Sequence, residues 1–217
     1  MEIALSATKS QARWRHFLVW SSSAALMFPL VVLLHEFAHY VFYRAFDFKG
    51  VAMHYNAATS PNIKAYWHYI ATGRLTEAAA YRPLWQGAIA DAAGIVMTIL
   101  IVVACCLLIR KYGPRPLLVS AGMLAPIRFV VGLTYLYLVL FSDASRTGFD
   151  ELNIARVTGI PVGLLLAVGL AVLVGGIYWI VRRIPQGERL FSVFSVVVGA
   201  VFGGLLYFQV IGPTLLP

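Results

Sequence analysis

The residues best equipped for chemistry in this chain are His35, Glu36 and His39, within the run His35-Glu36-Phe37-Ala38-His39. Histidines four residues apart stand one above the other on one face of a helix. Both imidazoles can then reach a single Zn²⁺ at about 2.0–2.1 Å. Glu36, between them, is placed to act on a metal-bound water rather than on the metal. Zinc lowers the pKa of such a water toward about 7, and a neighbouring carboxylate can take its proton and pass it to a leaving amine. Chance alone would put this pattern in a chain of such length on the order of once in a hundred sequences.

A catalytic zinc takes three protein ligands and keeps one position open. The third ligand must return to the membrane depth of the two histidines. Asp91, Asp143, Asp150 and Glu151 are the carboxylate candidates, and His54 and His68 are the histidine candidates. Arg128 stands in the middle of an apolar run, next to Pro126. An arginine at that depth costs a few kcal/mol or more unless it is paired. It reads either as an oxyanion stabiliser or salt-bridge partner of Asp91, Asp143 or Asp150, or as a residue beside a water-filled cavity where Pro126 breaks the helix. His54 and Asn56 could approach the same site as oxyanion donors.

The elements that must position these residues are membrane helices. The chain has 217 residues, of which 60% are hydrophobic and 12% charged, with a mean hydropathy of +0.81. A soluble domain is about 45–50% apolar and about 25% charged. A single water-surrounded core could not hide the excess, whereas lipid can solvate it. Five apolar runs, 17–43, 85–109, 117–141, 160–181 and 190–211, are long enough to span about 30 Å of hydrocarbon. The expected fold is a single all-α integral membrane domain, without repeats or a soluble module. The motif then lies inside the first span. Each crossing alternates sides, so Asp91, Asp143, Asp150 and Glu151 fall at the same membrane face as the end of that span.

Between the first two spans lies a polar stretch, 44–83. Val51, Met53 and Tyr55 alternate as in a short strand or hairpin. Tyr66, Trp67 and Tyr69 suit a segment lying among headgroups, and Thr76-Glu77 fits a helix start. Lys9 to Arg15 before an apolar run looks like the start of a signal peptide, but no small-residue cleavage site follows, so a retained helix is expected.

The formal net charge of +8 does not point to nucleic acid, because the basic residues sit at the ends of the apolar runs. Nine of them (Lys9, Arg13, Arg15, Arg110, Lys111, Arg115, Arg182, Arg183, Arg189) fall on one side, and seven (Arg44, Lys49, Lys64, Arg74, Arg82, Arg146, Arg156) on the other. The excess places the N-terminus in the cytoplasm. Cys105 and Cys106 are adjacent within an apolar run and read as packing residues. Gly175-Gly176 and Gly203-Gly204 read as sites of close helix packing, and the tryptophans as interfacial anchors.

An HExxH motif in a first transmembrane helix, the small-residue element Ala92-Ala93-Gly94 in a later one, and an aspartate further on together resemble the site-2 protease family of intramembrane metallopeptidases. The resemblance runs from Phe17 to Pro161 and leaves the last two spans outside it. In that family the third zinc ligand is an aspartate well downstream of HExxH. The stretch from Asp150 to Pro161 is similar to the aspartate-bearing segment of the shorter bacterial members. The resemblance therefore implies zinc on His35, His39 and Asp150, with Asp143 as the alternative. The chain departs from the Asn-Pro-Asp-Gly or Leu-Asp-Gly pattern of longer members, reading Gly148-Phe149-Asp150-Glu151 instead.

The family further implies a transmembrane protein or peptide as substrate, a place in a bacterial cytoplasmic membrane, and a strand after the first helix that holds the substrate extended. Well-known members have the N-terminus outside and the site near the cytoplasmic face, opposite to the charge count here. Two rival functions use the same residues. A membrane metal transporter would need polar positions repeated along several helices, whereas here they gather at one depth. A metal-dependent lipid hydrolase would share the zinc–water chemistry.

Overall fold

Helices dominate because nearly every long run of the chain is apolar and helix-competent, and a backbone in lipid must satisfy its own hydrogen bonds. The computed structural model describes residues 2–141 and 149–216. Asp143 and Arg146 lie outside the described residues. Five helices are long and apolar enough to cross a membrane: Gln11–Ala45, Leu84–Tyr112, Pro116–Leu138, Val162–Arg183 and Arg189–Leu215. They agree with the five expected spans to within a few residues at most ends. The chain is an all-α, multi-pass membrane protein.

The first span belongs to α1 (Glu2–Ala45), which continues through Pro29. Proline has no N–H for the carbonyl of Ala25 one turn back. The last span, α9 (Arg189–Leu206), closes on that point. A Cβ on Gly203 would lie 2.5 Å from both the Ala25 oxygen and its Cα, and one on Gly199 would strike the Ser21 backbone. Two glycines four apart thus let α1 and α9 touch backbone to backbone. Gly176 serves likewise against Val102, while Gly175 meets no neighbour.

The second span is α4 (Leu84–Tyr112), antiparallel to α1. The third is not one helix. It runs as α5 (Pro116–Leu124), a 3₁₀ turn at Ala125–Ile127 and α6 (Arg128–Phe141). Pro126 causes the break, since it removes an N–H and its ring clashes with the carbonyl one turn back. The fourth span is α8 (Val162–Arg183), entered from a short helix, α7 (Asp150–Thr158). After α9 a π turn at Tyr207–Ile211 leads into α10 (Gly212–Leu215).

The stretch after α1 is ordered by short elements. Strands β1 (Ala52–Met53) and β2 (Ala58–Thr59) pair antiparallel, with Ala52 opposite Thr59 and Met53 opposite Ala58. Helix α2 (Pro61–Ala71) follows, its first turn capped by Ser60 Oγ accepting from the Ile63 N–H at 3.1 Å. It buries Ile63, Tyr66 and Ile70, which share one face, so the aromatic segment packs inward. Helix α3 (Leu75–Tyr81) starts one residue before the expected Thr76.

Two cores result. One joins Trp20, Val102, Ile109, Val119, Ile180 and Val196 and extends through Val31 and Leu124 to the motif. The other joins Tyr43, Phe48, Ile63, Tyr66, Ile70 and Ala90 beneath the hairpin. Trp20 and Trp67 are packed against these cores, whereas Trp14 and Trp85 are exposed. Cys105 is a buried free thiol and Cys106 a half-buried one, as packing residues should be.

Candidate metal centre

Two antiparallel helices in register build the first half of the site. One turn of α1, from His35 to His39, lies against one turn of α4, from Gly94 back to Ala90. His35 Nδ1 donates to the Gly94 carbonyl at 2.8 Å, with Thr98 Oγ1 3.1 Å away. His39 Nδ1 donates to the Ala90 carbonyl at 2.8 Å. The four-residue step along one helix matches the same step, reversed, along the other. Such closeness requires Gly94: a Cβ there would fall 2.5 Å from His39 Cε1 and 2.6 Å from His35 Cε1.

A carbonyl can only accept, so both Nδ1 atoms carry the hydrogen, and each Nε2 presents a lone pair when its imidazole is neutral. These lone pairs face each other, with Nε2 to Nε2 at 3.1 Å. Asp150 completes a triangle, its Oδ2 lying 3.3 Å from His35 Nε2 and 3.4 Å from His39 Nε2. Three acceptors this close repel one another unless a proton or a cation sits among them, and the Arg128 guanidinium already reaches two of them, Asp150 Oδ2 and His35 Nε2. Tetrahedral ligands bonded at about 2.0–2.1 Å stand about 3.3 Å apart, so the triangle has the dimensions of a zinc face. The donor set, two neutral imidazoles and a carboxylate, is also the chemistry that zinc takes.

Asp150 opens α7, where the helix N-terminus favours a negative charge. Burial would raise its carboxyl, but the Arg128 guanidinium facing it holds it well below the usual carboxylate range. An ionised carboxylate is the form a metal would bind.

Glu36 projects from the same turn of α1 and accepts from the Ala58 N–H of β2 at 3.0 Å. A cavity of about 620 Å³ opens beside these groups. Its lining includes His35, Glu36, His39, Asp150, Arg128 and the hairpin residues Asn56 to Thr59. Asn56 therefore reaches the cavity. His54 does not line it; its N–H instead closes the hairpin on the Ala57 carbonyl at 2.8 Å. His68 is exposed on α2, away from the site.

Asp91 and Glu151 are buried carboxylates that stay out of the triangle. Asp91 accepts from Tyr43 Oη at 2.5 Å and from Asn153 Nδ2 at 2.8 Å, and Tyr43 in turn accepts from Trp67 Nε1 at 2.9 Å. It ties α1, α2, α4 and α7 together behind the histidines. Glu151 accepts twice from Arg128 Nη2, at 2.9 and 2.8 Å. Arg128 also pairs with Asp150 and not with Asp91. The break at Pro126 and the salt bridge, two readings of this arginine that looked like alternatives, occur together.

Sequence reasoning missed Tyr43, Trp67, Thr98 and Asn153. Spacing offered a signal for two of them. Tyr43 continues the His35, His39 face by one more turn, and Asn153 shares a face with Asp150. Trp67 and Thr98 had no such mark. In comparisons with known protein families, characterised proteins and solved structures, the chain matches none. The site-2 protease resemblance rests on the chain's own residues.

Proposed function

We propose that this protein is an intramembrane zinc metalloendopeptidase of the site-2 protease type, cutting peptide bonds in or beside transmembrane segments. The observation that carries this reading is the triangle of His35 Nε2, His39 Nε2 and Asp150 Oδ2 with Glu36 on the same helix turn, opening into one cavity. A zinc ion bound on that triangle supplies the Lewis acidity that brings a water's pKa toward about 7 and polarises a scissile carbonyl. Glu36 accepts the proton of the attacking water as its oxygen bonds to the carbonyl carbon. It then delivers that proton to the amide nitrogen as the C–N bond breaks, leaving a carboxylic acid and an amine, which exchange the remaining proton to end as carboxylate and ammonium. Tyr43, Asn153 and Asp91 hold the α1–α4–α7 arrangement that keeps the three ligands together.

A peptide bond in a transmembrane helix is shielded by its own hydrogen-bonded backbone and must be unwound first. Strand β2 offers its Ala58 N–H toward the site, on Glu36, and Asn56 stands at the cavity wall. An extended segment lying along β2 would use such groups in place of its lost helix bonds. The membrane is a bacterial cytoplasmic one on this reading, with the N-terminus on the cytoplasmic side.

The deciding experiment compares wild type with Glu36→Gln, purified in detergent. Bound zinc is quantified, and cleavage of transmembrane peptides and of phospholipids is assayed. Retained zinc with peptide cleavage lost by at least about a hundredfold supports the proposal. Full cleavage by Glu36→Gln sinks Glu36 as the base. Hydrolysis of lipid alone would make the protein a lipid hydrolase, and zinc flux into vesicles without hydrolysis would make it a transporter.

A further inference from the structure

Arg128 opens α6 just beyond the Pro126 break, and its guanidinium is tied at both ends. On one side Nη2 meets both oxygens of Glu151, a residue with 0% exposure. Gly132, one turn along α6, faces that carboxylate, and a Cβ there would make ordinary contact with it, 3.4 Å from Glu151 Oε2. On the other side Nη1 donates to Asp150 Oδ2 and, at 3.1 Å, to His35 Nε2. These two acceptors are corners of the metal triangle. Both terminal nitrogens of the guanidinium are thereby engaged, so Arg128 is not a free oxyanion donor.

A neutral imidazole has one lone pair. With Nδ1 protonated toward Gly94, the lone pair of His35 Nε2 can serve an Arg128 N–H or a metal, but not both. We infer that Arg128, gripped from behind by Glu151, is a built-in cation that competes with the metal for His35 and Asp150. Metal loading requires the guanidinium to leave His35, and Glu151 sets where it can go. The pair thereby weakens metal affinity. This rests on reading the triangle as a metal centre.

The test is zinc affinity of the full chain in detergent, measured by competition with a chromogenic chelator. Arg128→Gln combined with Glu151→Gln removes the pair without stranding a buried charge. Because the arginine lies nearer the metal than its partner, the double variant should bind zinc at least about tenfold more tightly than wild type. Glu151→Gln alone keeps the competing cation and loses a negative charge, so it should bind more weakly. A pair with a purely structural role would lower affinity in both. If the glutamine pair misfolds, Arg128→Met with Glu151→Leu replaces it in the same measurement. Equal or weaker zinc binding by the double variant overturns the inference while the metal centre stands. Absence of zinc binding in wild type and double variant alike overturns both.

Discussion

Asp91 and Asp150 sit on neighbouring helices, α4 and α7, and both approach the histidines of α1, yet their surroundings are opposite. Asp91 faces donors: a tyrosine hydroxyl at 2.5 Å and an asparagine amide at 2.8 Å. Asp150 faces two imidazole lone pairs, at 3.3 and 3.4 Å, and a guanidinium. An ionised carboxylate can only accept. Among donors it is satisfied and acts as a strut. Among lone pairs it is satisfied only by a cation, which here is the Arg128 guanidinium and, on the proposed reading, a metal. What separates metal site from scaffold is therefore the hydrogen-bonding character of the neighbours; burial alone does not.

The most direct way to break this contrast is to neutralise each aspartate in turn. Asp150→Asn should weaken zinc binding by about a hundredfold or more and abolish cleavage, since one of three ligands is lost. Asp91→Asn should keep full zinc stoichiometry while costing about 1–3 kcal/mol of stability, because a donor would then face donors. Zinc quantification with thermal unfolding checks both, and an exchange of the two outcomes would sink the assignment. Next in size, Gly94→Ala should lower zinc affinity by more than about tenfold, because its Cβ would displace both imidazoles from the triangle. Normal affinity in that variant would show that α4 does not set the histidines.

Smaller effects sharpen the scaffold side. Tyr43→Phe should lower unfolding stability by about 1–3 kcal/mol, leaving one oxygen of Asp91 without its donor, with zinc affinity unchanged within about threefold. Smallest is Asp47, an exposed carboxylate paired with Lys49 at 2.8 Å and with Arg82 at 2.8 Å. Hydrogen bonding to Lys49, helped by Arg82, lowers its pKa, but solvent screens such pairs. Asp47→Asn should alter neither zinc binding nor melting temperature measurably, and asparagine also tolerates the positive φ of 58° at that position.

Much of the fold was legible because its signals are local. Five apolar runs of spanning length announce five membrane helices without knowledge of how they pack. Pro126 marked the break in the third span, and the alternation at Val51, Met53 and Tyr55 marked the hairpin strand, though only pairing with Ala58–Thr59 made it one. The i, i+4 spacing of His35 and His39 put two ligands on one face. The support at Gly94 was far less visible, because nothing in a small-residue run tells which carbonyl will meet which imidazole. The network of Tyr43, Trp67, Asp91 and Asn153 joins four helices, so no window of sequence contains it.

By itself, the sequence determined that two histidines and a glutamate share one turn of a membrane helix, because helical periodicity follows from backbone geometry alone. It also determined that four carboxylates could return to that depth. Only the tertiary structure decided among the three of these that it describes. It brings Asp150 onto the lone pairs of both histidines, wraps Asp91 in donors, and spends Glu151 on Arg128. The choice depends on what each carboxylate meets across helix interfaces, and those contacts exist only once the bundle has packed.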